Sequence, residues 1–164
     1  MRNAQRANAI LRALVWLGVF AWWVFLKKPA SSSVLAVRPG LMGLLGLGLI
    51  AVGLGLHLWS LLTLAEGIDT SLAAPMKLLM HGPYRYVRNP LYLGAWFVFA
   101  GIYVLYAPWR LVDALVAAVL ATITHLIVVL IEEPAARKRL GAQYDEYCLR
   151  VPRWIPRLPN PSRS

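Results

Sequence analysis

The sequence predicts an all-α fold, a polytopic membrane helix bundle of about four transmembrane helices with a cytoplasmic C-terminal helix and an extended tail. Three observations predict it. The 164-residue chain is 59% hydrophobic, where a soluble chain is ~45–50% apolar. The excess is gathered into four long runs rather than spread along the chain. Lysine and arginine flank those runs, with most of them on one predicted side. Residues 1–164 read as a single membrane domain, with a two-helix part at 1–65 and a second part at 66–164 that holds most of the polar detail.

The first run is Ala13–Leu26, preceded by Ile10 and Leu11, with Arg12 placed to snorkel to the interface. A cleaved signal sequence would end on small uncharged residues. Here Lys27, Lys28 and Pro29 follow at once, so an uncleaved span is expected. The second run, Leu41–Leu64, has no formal charge. Its pairs Gly46/Gly53 and Gly48/Gly55 recur after seven residues, so each pair shares a helix face on which another helix can approach closely. Residues 66–89 form a polar connection too long to be a plain linker. Pro90 then starts a third helix, with Asn89 as its N-cap, running to Ala107. A turn at Pro108-Trp109-Arg110 leads to the fourth run, Leu111–Ile131, and Asp113 is spaced to pair with Arg110. Glu132-Glu133-Pro134 ends the apolar stretch, and Pro134 can open a new helix to about Tyr147. The four prolines between Val151 and Pro161 predict an extended tail.

Composition also excludes some classes. A net charge of +10 can mark a nucleic-acid binder. Here the positive residues sit beside apolar runs, which points to a membrane and away from nucleic acid. One cysteine, Cys148, permits no internal disulfide and no cysteine-rich metal site. The three histidines lack any ligand spacing, so no metal is expected. With four spans, the two termini and the polar loop share a side. That side carries 13 basic residues against 4 on the other, so the termini and the polar face are expected to be cytoplasmic.

Two blocks have more polar detail than packing needs. One is His81-Gly-Pro-Tyr-Arg-Tyr-Val-Arg-Asn-Pro-Leu-Tyr-Leu-Gly94. The other is Glu132-Glu-Pro, followed by Leu140-Gly-Ala-Gln-Tyr-Asp-Glu-Tyr147 and Val151-Pro-Arg-Trp-Ile-Pro156. A hairpin of the third and fourth helices would bring both to one membrane face. His125 lies seven residues before Glu132 and would share its helix face. It reads either as a hydrogen-bonded residue of the bundle or as an ionisable group facing the site.

These blocks resemble the isoprenylcysteine carboxyl methyltransferase and phospholipid N-methyltransferase superfamily of integral membrane enzymes. The shared pattern is Gly-x-Tyr-x-x-x-Arg-(His or Asn)-Pro-x-Tyr-x-Gly, then Glu-Glu, then Gly-x-x-Tyr-x-x-Tyr and Val-Pro-x-x-Ile-Pro. The resemblance covers about Gly67 to Pro156. It implies an S-adenosylmethionine-dependent methyltransferase acting on a lipid-borne or other hydrophobic acceptor. It also implies a cofactor pocket built from Lys77, Leu78 and Leu79 as a strand-like lead-in, Tyr84, Asn89, Pro90, Leu91 and Tyr92 around the adenosine, and Glu132 on the polar part. The chemistry suits the residues. A helix N-terminus at Pro90 presents unpaired N–H groups. A carboxylate can bind ribose hydroxyls or an ammonium, and tyrosine faces attract a sulfonium. Acidic residues at a helix C-terminus oppose its dipole, which argues that Glu132 and Glu133 are there for function. Glu133 and His125 are the candidate proton acceptors, and Arg88 is the candidate cation for a substrate carboxylate or a partner for Glu133.

Departures from the pattern narrow the acceptor. Asn89 and Glu-Glu-Pro fit the phospholipid enzymes better than the isoprenylcysteine ones. The latter place an arginine four residues before the cofactor glutamate, where this chain has Val128. Gly67-Ile-Asp-Thr70 resembles the Gly-x-Gly-Thr lead-in of bacterial relatives, with Asp69 for the second glycine. A neutral or amine-bearing lipid is therefore expected over a prenylcysteine carboxylate. Two other readings stay open on the sequence: a membrane reductase using NADPH, of the sterol-reductase type, and a small non-enzymatic membrane scaffold.

Overall fold

A computed structural model describes residues 40–67, 78–105 and 111–157. The first apolar run, Lys77, Asp69, the Arg110 turn and the tail beyond Arg157 lie outside the described residues. Every regular element among the described residues is helical. These elements are α1 (Leu41–Gly67), a 3-10 turn (Gly82–Arg85), α2 (Pro90–Leu105), α3 (Leu111–Ile127), a π turn (Val128–Glu132), α4 (Glu133–Leu140) and α5 (Ala142–Arg150). The all-helical expectation holds. Two helical stretches, Leu41–Leu64 and Leu111–Leu140, are long and apolar enough to cross a membrane. Helix α2 has 16 residues. At ~1.5 Å per residue it spans ~24 Å, short of the ~30 Å apolar thickness of a bilayer.

The described residues fall into two compact units, one holding residues 111–126 and the other residues 40–67, 78–105 and 127–157. In the first, α3 carries a buried Asp113 and a buried Thr124 whose hydroxyl donates to the Leu120 carbonyl at 2.8 Å. The second unit holds α1, α2, the π turn, α4, α5 and the tail.

In that second unit, α1 and α2 pack through glycines. A Cβ on Gly53 would lie 2.6 Å from the Gly94 carbonyl oxygen, and one on Gly101 would lie 2.6 Å from the Gly46 carbonyl oxygen. So Gly46 and Gly53 of α1 meet Gly101 and Gly94 of α2, seven residues apart on each helix. The two backbones touch because no side chain stands between them. Of the two glycine pairs in the second run, only Gly46/Gly53 makes this contact; Gly48 and Gly55 face open space. The close approach also lets His57 Nδ1 donate to the Leu91 carbonyl at 3.0 Å, which ties α1 to the first turn of α2.

The end of the fourth apolar run departs from expectation. The helix does not stop at Glu132 and restart at Pro134. It continues from α3 through the π turn into α4, and the break comes at Gly141. Proline has no N–H, and its ring clashes with the carbonyl four residues earlier in a regular helix. The wider π turn just before Pro134 relieves that clash, with the Glu133 N–H reaching back five residues to the Val128 carbonyl. Gly141 has φ +57, a conformation open to glycine, and its N–H caps the Arg137 carbonyl at 2.9 Å. Arg137 and Asp145 bridge the break with a 2.9 Å ion pair. Glu132 and Glu133 therefore stand inside a helical path, and the opposing-dipole argument does not apply to them.

Candidate functional site

The first block begins as a tight turn. Gly82 has φ +58 and lies so close to α1 that a Cβ would come within 2.5 Å of Thr63 Oγ1. Pro83 is buried, its carbonyl accepts from the Tyr86 N–H at 3.1 Å, and Val87 is 2% exposed. This anchored turn delivers Arg88, Asn89 and Pro90 to the start of α2. Tyr92 follows two residues after Pro90, buried at 8% exposure.

Tyr92 Oη donates to Glu132 Oε1 at 2.6 Å. This bond joins residues 40 positions apart and brings the two blocks together. A charge-assisted O–H···O bond of this length is among the stronger kinds. Glu132 is half-buried and Glu133 is buried at 3%. The two carboxylates take different partners. Glu133 is gripped by Arg153, whose Nε donates to Oε1 at 2.6 Å and whose Nη2 donates to Oε2 at 2.9 Å. Arg88 Nη1 lies 3.1 Å from Glu133 Oε1 and donates to Cys148 Sγ at 2.7 Å. The Arg88 Nε is buried without a partner. The hydrogen bond to Glu133 raises the Arg153 guanidinium above its ordinary pKa.

The C-terminal segment forms a strap along the first block. Arg88 N–H donates to the Pro152 carbonyl at 2.9 Å, and Arg157 N–H donates to the Tyr86 carbonyl at 3.1 Å. Asn89 Nδ2 donates to the Arg153 carbonyl at 3.2 Å, so the Asn89 side chain serves the strap. Tyr147 Oη donates to the Tyr84 carbonyl at 2.7 Å. Beneath the strap, Tyr144, Tyr147 and Val151 form a core against which Leu78, Ala136, Leu140 and Cys148 pack. Burial, and after it the neighbouring Cys148 and Glu133, push the Tyr144 phenol up to about 12. Burial likewise raises Tyr147.

Of the residues singled out in the sequence, Tyr84, Arg88, Asn89, Pro90, Leu91, Tyr92, Glu132 and Glu133 all lie in this unit. Leu78 and Leu79 precede the turn without regular secondary structure, so the strand-like lead-in is not a strand. Lys77 is outside the described residues. His125 is exposed on α3 and belongs to the other unit. The π turn between it and Glu132 breaks the seven-residue register that placed them on one face. Among the described residues no group of histidine, cysteine and carboxylate side chains could hold a metal.

Three contributors were given no role on the sequence: Tyr147 and Arg153, which lie in the second block, and Cys148, which follows Tyr147. One signal was available: a buried glutamate requires a cation, and Arg153 is the charged residue within Val-Pro-Arg-Trp-Ile-Pro.

A family model described as phospholipid methyltransferase matches residues 41–143, more than half of the chain. The chain belongs to the phospholipid methyltransferase family. It is thereby a membrane methyltransferase, in keeping with its two long apolar helical stretches. The matched region contains α1, α2, the first block and both glutamates, and it ends before the strap. Neither a curated protein nor a solved structure matches the chain.

Proposed function

We propose that this family member transfers the methyl group of S-adenosylmethionine to a lipid-borne or other hydrophobic acceptor. The observation that carries the reading is the Tyr92–Glu132 hydrogen bond at 2.6 Å, which joins the two blocks beside the start of α2. The residues there suit the cofactor's groups. Glu132 can accept from ribose hydroxyls or an ammonium, with its carboxylate oriented by Tyr92. The first-turn N–H groups after Pro90 suit a carboxylate or ring acceptors. Asn89 and Leu91 flank Pro90 at that turn, and Tyr84 lies in the preceding 3-10 turn. When bound, S-adenosylmethionine supplies an electrophilic methyl group open to in-line displacement. The chain's task is then orientation and exclusion of water.

An amine-bearing or neutral lipid suits the site better than a prenylcysteine carboxylate. Val128 stands where a carboxylate-binding arginine would be useful, and it is 1% exposed. Arg88, the other available cation, is engaged by Glu133 and Cys148. An isolated buried carboxylate would be very costly. Glu133 and His125 were the expected proton acceptors. A carboxylate with both oxygens held by guanidinium groups is a poor base, so in this reading Glu133 is a strut.

Isothermal titration in detergent tests the cofactor. Binding of S-adenosylhomocysteine with no binding of NADPH is expected, and loss of it in Glu132→Ala and Tyr92→Ala places the site. Binding of NADPH in its stead would reject methyl transfer from this cofactor.

A further inference from the structure

The strap meets both blocks at a single residue. The main-chain carbonyl of Arg153 receives the Asn89 amide, beside the Pro152 carbonyl that receives the Arg88 N–H. The Arg153 side chain reaches across to Glu133 and binds both of its oxygens. Arg88 reaches only one of them. Glu133 is the residue whose N–H closes the π turn onto Val128, and that turn sets the direction of Glu132, the next residue back. The Glu133 side chain is 4% exposed while that of Arg153 is 31% exposed. The guanidinium therefore spans from the protein surface to a buried carboxylate, in a segment beyond the matched family region.

We propose that Arg153 is a positioning residue for the glutamate pair. By fixing Glu133 through a two-bonded grip, it holds the π turn in the register that aims Glu132 at Tyr92. It governs cofactor binding without touching the cofactor. This rests on the reading that Glu132 and Tyr92 hold the cofactor. The planar guanidinium is required, because the lysine ammonium is a flexible point charge that cannot reproduce the fork of two parallel bonds.

The test uses the full chain in detergent with Arg153→Ala, Arg153→Lys, Glu133→Gln and the Arg153→Ala/Glu133→Gln pair. The first readout needs no ligand: hydrogen exchange across residues 128–136. Exchange rises in Arg153→Ala and falls between wild type and alanine in Arg153→Lys. Unchanged exchange in both variants overturns the proposal. The second readout is kinetic. The KM for S-adenosylmethionine rises by about tenfold to a hundredfold in Arg153→Ala, the loss typical of a charge-assisted hydrogen-bond pair, while the KM for the acceptor stays within about twofold. The lysine variant is intermediate, and it carries the test if the alanine variant does not fold. Glu133→Gln costs less on the Arg153→Ala background than on the wild type, since the Arg153 contact is already lost and only the Arg88 contact remains to be weakened. An additive double variant means that Arg153 acts on the ligand itself and overturns positioning. If the wild type fails to bind S-adenosylhomocysteine, the cofactor reading falls, and the exchange experiment alone decides the role of Arg153.

Discussion

Glu132 and Glu133 are neighbours in one helical path, yet their environments call for opposite outcomes on substitution. Glu132 is half-buried and bonded to Tyr92. Glu132→Ala is expected to weaken S-adenosylhomocysteine binding at least tenfold, about 1.4 kcal/mol, with a small change in melting temperature. Glu133 is 3% exposed and is the counter-ion of Arg88, whose side chain is 11% exposed. Glu133→Ala leaves that guanidinium uncompensated and is expected to cost about 3–5 kcal/mol of stability. Melting curves and titrations on the two variants separate these outcomes. The Tyr144 phenol, ordinarily at 10, is raised to about 12 by burial. Its contribution to stability is complete below about pH 10 and is lost as pH rises through about 12. Melting temperature should therefore fall more steeply over that window in the wild type than in Tyr144→Phe, which has no proton to lose.

At the scale of elements, α1 and α2 offer a matched control. Gly48 faces open space, whereas a Cβ on Gly94 would lie 2.7 Å from the His57 backbone nitrogen and 2.8 Å from the Gly53 carbonyl oxygen. Neither backbone atom can move without parting the helices. Gly94→Ala should cost about 1–3 kcal/mol or more through overpacking. Gly48→Ala should be tolerated, with a helix-propensity gain of up to about 1 kcal/mol. Thermal melting in detergent distinguishes the two. The π turn offers a second test. Pro134→Ala restores an N–H and removes the ring clash, so the helix can relax to a regular α form. That relaxation rotates Glu132 away from Tyr92. Cofactor affinity should fall while melting temperature holds or rises; a variant that keeps full affinity would mean that the turn is not set by Pro134.

For the whole molecule, orientation and acceptor are the open quantities. The 13-to-4 distribution of basic residues predicts that a reporter fused after Ser164 is active in the cytosol. Activity on the opposite side would reverse the orientation and remove easy supply of a cytosolic cofactor. The acceptor is tested by comparing ethanolamine lipids and hydrophobic alcohols or amines with a farnesylcysteine analogue. Methylation of the former is expected. Saturable methylation of the farnesylcysteine carboxylate would require Arg88 to exchange Glu133 for the substrate, and Arg88→Ala should then raise the KM for that acceptor far more than for the cofactor.

Much of this was legible in one dimension because it depends on local chemistry. Apolar run length implied helices long enough for a membrane at Leu41–Leu64 and from Leu111 onward. Pro90 marked the start of α2, and the family resemblance put Tyr92 and Glu132 in one pocket, where the structure joins them directly. Seven-residue spacing found the glycine faces but gave two equal candidates, since periodicity does not say which face another helix covers. Only the packing of α2 selected Gly46 and Gly53. Reading Glu-Glu-Pro as a helix end failed because a proline's cost depends on the backbone around it, and the π turn absorbs that cost without a break. Arg88 was already a candidate partner for Glu133 on the sequence, and it lies 3.1 Å from that carboxylate; the second partner was not legible. Charge alone called for a cation, but many arginines could have answered. Arg153 was chosen by the backbone hydrogen bonds that lay the strap along residues 86–89, a long-range pairing that no local pattern encodes.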